Sequence, residues 1–103
     1  MLKQAAERLH AGLSTIIRPR GNSMTPLIVS GQQVRIEPVE LNNVVKGDIV
    51  LCRVRGRYYL HLVKAVSNKQ GLLIANNRGH VNGWTKVVFG IVTSRANDLE
   101  SEA

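Results

Sequence analysis

The sequence predicts a mainly β fold, a small barrel-like domain of mixed or antiparallel strands with an amphipathic helix at its N-terminus. Three observations carry that prediction. Apolar residues recur at helical spacing only at the start of the chain, short β-branched runs separated by turn residues follow, and 103 residues suffice for one hydrophobic core but not for two domains.

In chain order, Leu2, Ala5, Ala6, Leu9, Leu13, Ile16 and Ile17 fall at helical spacing, so residues 2 to about 11 read as an amphipathic helix that Gly12 ends. Residues 1–15 are assigned to this segment and 16–94 to a β body. The body's runs are "QVRIEPV", "DIVLCRV", "YYLHLVKAV", "GLLIA" and "KVVFGIVTS", each bounded by Gly, Pro, Asn, Asp or Ser. Between the second and third, "RGR" reads as a tight hairpin, with Gly56 supplying the positive φ such turns need. Residues 95–103, "RANDLESEA", are polar and acidic and read as a frayed tail.

Fourteen Lys and Arg against seven Asp and Glu give a net charge of +7. The basic residues are scattered, densest at "RVRGR", and come without a recognition-helix or RNA-binding signature. Tyr58, Tyr59, Trp84 and Phe89 are too few for a platform that stacks single strands, so nucleic acid is a disfavoured partner. The single cysteine, Cys52, excludes an internal disulfide, and its strand context predicts a buried, inert thiol in a reducing compartment. No apolar run approaches the ~18 residues of a spanning helix, and Lys3, Glu7, Arg8 and His10 interrupt the region where a secretory signal would be apolar. The expectation is a cytoplasmic protein with no membrane anchor. Cys52, His61 and His80 lack paired ligand spacing, so no metal and no cofactor is expected.

The stretch "RGNSMTPLIVSG", residues 20–31, holds Ser23 between a Gly-Asn pair and a Met-Thr-Pro. Gly, Asn, Ser and Pro occur in turns for purely conformational reasons. A serine nucleophile additionally needs a base elsewhere in the chain. The strand "YYLHLVKAV" supplies two candidates, His61 and Lys64, which strand alternation points to opposite faces, so only one of them can serve Ser23.

These residues resemble a family. "GNSMTPLIVSGQQVRIEPV", "VVKGDIVLCRV" and "YYLHLVKAV" together look like the peptidase core shared by signal peptidases and LexA-type self-cleaving repressors, over residues 16 to 94. The resemblance implies that Ser23 is the nucleophile, that Met24 and Pro26 occupy the positions following it in the family turn, and that His61 is the base, as in the histidine variant of the family. Lys64 remains the alternative base. Neutral imidazole needs less burial than lysine to be available near neutral pH. The oxyanion would rest on backbone N–H groups of the turn at Gly21, Ser23 and Met24, that of Ser23 foremost. The family's acidic residue that orients the imidazole has no counterpart, because no Asp or Glu occurs between Asp48 and Asp98. Asn76, Asn77, Asp48 or a backbone carbonyl is expected in its place.

The function expected is peptide-bond hydrolysis, in a partner protein or peptide or in the chain itself. The substrate would lie extended as an added strand, with small side chains in shallow pockets. "HAGLS" contains an Ala11-Gly12 bond of the kind repressors cleave, although Gly12 also serves simply to end a helix. The alternatives are a catalytically silent module of the same fold that binds peptides or forms a homodimer, and a basic nucleic-acid binder.

Overall fold

The run Ile49–Val54 is apolar at almost every position, which one-sided burial cannot explain. The computed structural model, which describes residues 1–96, places this run near the middle of the sheet with both faces covered. The elements are α1 (Leu2–His10), β1 (Thr15–Ile17), β2 (Gln33–Pro38), a 3-10 turn (Leu41–Asn43), β3 (Ile49–Val54), β4 (Arg57–Ser67), β5 (Gly71–Ala75), β6 (Val81–Thr85) and β7 (Val87–Ala96). The seven strands form one antiparallel sheet in the order β1-β2-β7-β3-β4-β5-β6.

That sheet curls until β6 meets β3. Thr85 Oγ1, a buried polar atom, donates to the Arg53 carbonyl at 2.6 Å and accepts from the Val87 N–H at 3.0 Å. The curl divides the core in two. Ile49 and Leu51 face a cluster with Ala5, Leu9, Met24, Ile28 and Leu60, while Val50, Cys52 and Val54 face a second with Val63, Leu72 and Ile74. Cys52 is fully buried, and burial pushes its thiol up to about 12. The β3–β4 hairpin has a two-residue turn, Arg55-Gly56, with positive φ at both positions.

Ile16 and Ile17, at the start of the expected β body, pair with Arg35 and Val34 on β2 as part of β1. A tail was expected from residue 95, but β7 continues through Ala96, held by pairing of Gln33 with Ala96 and Val34 with Arg95. Residues 97–103 of that expected tail lie outside the described residues. β6, "VNGWT", is a further strand that its polar composition conceals.

Helix α1 ends in paired terminal hydrogen bonds. The Gly12 N–H donates to the Leu9 carbonyl and the Leu13 N–H to the Arg8 carbonyl, both at 3.0 Å, with Gly12 at φ +86°. At its buried face Leu9 packs directly on Gly90 of β7. A Cβ on Gly90 would lie 2.8 Å from Leu9 Cδ1 and 2.7 Å from the Glu37 carbonyl oxygen. Gly90→Ala is therefore expected to destabilise the protein by about 1–3 kcal/mol, the usual cost of overpacking, read as a lowered urea midpoint with unchanged m-value.

Candidate active site

Ser23 rides on a long loop between β1 and β2 that is tied at its base and along its length. The Gly31 N–H donates to the Pro19 carbonyl at 2.7 Å, and Arg18 donates to the Gly31 carbonyl and to Gln33 Oε1, both at 3.1 Å. Farther out, the Gly21 N–H donates to Ser30 Oγ at 3.1 Å, and Arg95 reaches the Leu27 carbonyl at 3.0 Å. Met24 and Ile28 sink into the core and anchor the loop from below. Asn77, from the β5–β6 turn, holds the serine segment: its N–H donates to the Ser23 carbonyl at 2.8 Å and its Nδ2 to the Thr25 carbonyl at 3.0 Å.

His61 projects from β4 toward this loop. Its Nε2 lies 3.2 Å from Ser23 Oγ, joining residues 38 positions apart in the chain. On the other side of the ring, Nδ1 lies 2.7 Å from Asn82 Oδ1. An amide oxygen can only accept, so the ring proton sits on Nδ1 and the Nε2 lone pair is left for the serine hydroxyl. Tyr59 stacks on the imidazole with centroids 5.1 Å apart.

Asn82 was not among the expected partners of the imidazole. Its position arises from an irregularity in the β5–β6 ladder, where Ile74 pairs with Gly83 and Ala75 with Val81, leaving Asn82 as the extra residue. Such a bulge re-aims a side chain that strict alternation would place elsewhere. The residues named in its stead have other partners. Asn76 Oδ1 accepts from the N–H groups of Arg78 and His80, closing the β5–β6 turn, and Asn77 clamps the serine loop. Asp48 Oδ2 accepts from the Val45 N–H at 2.8 Å, capping the turn that leads into β3. The polar signal "NNRGHVNG" marked the region, but only the bulge selects the residue.

Lys64 also falls at a bulge, between Val63 and Ala65, and is exposed outside the cleft that Ser23 and His61 share. The Gly21 N–H is engaged by Ser30 Oγ, so Gly21 contributes to the turn and not a free donor. The Ala11-Gly12 bond lies at the far end of α1 from Met1 and Leu2, which line the cleft. Nine helical residues separate the two ends by about 13 Å.

Burial lowers the pKa of His61 from its ordinary 6.5. The hydrogen bond to Asn82 works in the opposite direction, and the positive charge of His80 adds to the lowering.

Comparison with protein-family models matches residues 5–84 to the family described as Peptidase S24-like, and the chain belongs to that family. Neither the curated proteins nor the solved structures give a match. No helix among the described residues is long and apolar enough to cross a membrane.

The imidazole is expected to titrate below pH 6.5 and to show the Nδ1–H tautomer when neutral, both readable from its ring nitrogen and carbon shifts by NMR. Folding lowers this pKa, so the group's contribution to stability is present above 6.5 and is lost as pH falls through the folded value.

Proposed function

We propose that the protein is a serine peptidase that works through Ser23 and His61. The observation that carries this reading is the 3.2 Å approach of Ser23 Oγ to an imidazole nitrogen whose opposite nitrogen is already committed to Asn82. His61 Nε2 accepts the hydroxyl proton as Oγ attacks the peptide carbonyl, then delivers that proton to the leaving amine. Water, deprotonated by the same nitrogen, hydrolyses the acyl-enzyme. The oxyanion is received by backbone N–H groups of the turn at Ser23 and Met24, since that of Gly21 is engaged. Asn82 fixes the tautomer without adding charge, so the imidazolium formed during attack is stabilised less than beside a carboxylate. The free, buried thiol of Cys52 fits a reducing cytoplasm.

The neutral partner on Nδ1 favours a second reading, a silent member of the family that binds peptides without cutting them. Labelling separates the two. In the peptidase, a fluorophosphonate adds to Ser23, read as a mass increase on the intact protein. Absence of that adduct at every pH from 5 to 9 would establish the silent reading.

Ser23→Ala and His61→Ala are expected to lower peptide cleavage by about 10²–10⁴-fold or more, with the unfolding transition unchanged in Ser23→Ala and the protein still folded in His61→Ala. In wild type, the acid limb of the rate profile should have its midpoint below pH 6.5, because His61 must be neutral and its pKa is lowered.

Asn82→Asp is expected to raise kcat/KM and to move that limb to higher pH, because a carboxylate beside Nδ1 favours the imidazolium. Asn82→Ala should cost on the order of 10²-fold through loss of the tautomer. A pH–rate series on the three proteins checks both.

A further inference from the structure

Tyr59 and His61 lie two apart on β4, so strand alternation puts both side chains on one face of the sheet. Their rings meet as an offset stack, with centroids 5.1 Å apart and planes 27° from parallel. The backbone of Tyr59 is paired with Cys52 on β3 and its ring is packed against the second core cluster, which holds the ring against the imidazole.

A stack of this kind acts differently on the two forms of histidine. The face of a phenol ring is the negative part of its quadrupole and attracts a cation within about 6 Å of the centroid, more strongly where water is excluded. Neutral imidazole gains only dispersion from the same contact. The other groups around His61 supply no negative charge to a protonated ring. Asn82 at Nδ1 is neutral, Ser23 at Nε2 is neutral until it gives up its proton, and His80 from the β5–β6 turn repels the imidazolium. Arg20, Tyr58 and Met1, with its α-amino group, are the remaining ionisable residues of the cleft lining, and no Asp or Glu is among them.

We propose that Tyr59 is a positioning residue for the reaction, its ring face stabilising the imidazolium that forms when His61 takes the serine proton. It supplies part of the attraction that a carboxylate beside Nδ1 would otherwise provide. The catalytic consequence rests on the reading of Ser23 and His61 as nucleophile and base, whereas the preference of the stack for a charged ring belongs to the imidazole alone and is measurable without substrate. A ring that served only as an apolar wall would act in the opposite direction. Burial lowers the pKa of His61, so removing a wall lets it rise toward 6.5, while removing a cation-binding face lets it fall.

The test reads the His61 pKa from its ring shifts by NMR in the free protein, for wild type, Tyr59→Phe, Tyr59→Leu and a protein with 3,4,5-trifluorophenylalanine at position 59. The fluorines drain negative potential from the ring face and keep its shape. Tyr59→Phe is expected to hold the wild-type value, and the leucine and trifluorophenylalanine proteins to titrate about half to one unit lower. At the plateau of the pH–rate profile, kcat/KM should fall about three- to tenfold in Tyr59→Leu and be retained in Tyr59→Phe. A pKa in the fluorinated protein equal to or above that of Tyr59→Phe would overturn the proposal, and does so even if Tyr59→Leu fails to fold, because the fluorinated ring fills the same space. If wild-type Ser23 takes up no fluorophosphonate while the order of pKa values holds, the catalytic reading fails and the hold of Tyr59 on the imidazolium stands. A labelled Ser23 with a pKa that does not follow the ring face sinks this inference and leaves the catalytic reading intact.

Discussion

Burial of β3 on both faces is the constraint from which the rest of the molecule follows. One face, through Ile49 and Leu51, provides the surface on which α1 and the serine loop are seated, and the other fills the curled half of the sheet. A strand with only one apolar face would leave either the loop without a floor or the barrel without a core. The loop needs that floor, because a segment with no strand partners is held only by side chains such as Met24 and Ile28 and by hydrogen bonds at its rim.

The site then depends on two departures from regular strand geometry. On β4 the irregularity at Lys64 leaves that side chain in solvent, two residues past the last position in strict register with β3, while His61 keeps its place opposite Val50. On β6 the extra residue is Asn82, and the bulge brings its amide to the imidazole. Bulges of this sort near reacting groups turn a side chain without disturbing the ladder on either side. The β5–β6 turn contributes again through Asn77, which clamps the serine segment next to the imidazole that β6 reaches through Asn82.

The electrostatics of the arrangement are those of a neutral serine–imidazole contact in a basic protein. Burial and the nearby His80 both favour the uncharged imidazole, and Asn82 opposes them only as a hydrogen-bond acceptor. An imidazole of this kind stays neutral to lower pH than an ordinary histidine, and is correspondingly weaker as a proton acceptor. The apolar floor beneath Ser23 has the same origin: the loop's anchors in the core double as the lining of the cleft.

Much of this was legible in the chain. Helical spacing followed by β-branched runs specified one helix on a β body, and "DIVLCRV" was legible as one of its strands, though its place at the centre of the sheet came only with the fold. The serine turn, the "GDIV" block and the hairpin pointed to Ser23 and His61, whose meeting at 3.2 Å only the fold displays. β1 was hidden because three residues carry too little periodicity to compete with the helix before it, and β6 because Asn82, Gly83 and Thr85 interrupt its apolar residues. What only the tertiary structure decided was the partner of the imidazole and the set of residues that line the cleft. Alternation in sequence cannot anticipate a bulge, since the extra residue is selected by how two strands fit together. A pocket floor likewise belongs to no local segment, being made where a loop, a helix end and a strand converge on one core.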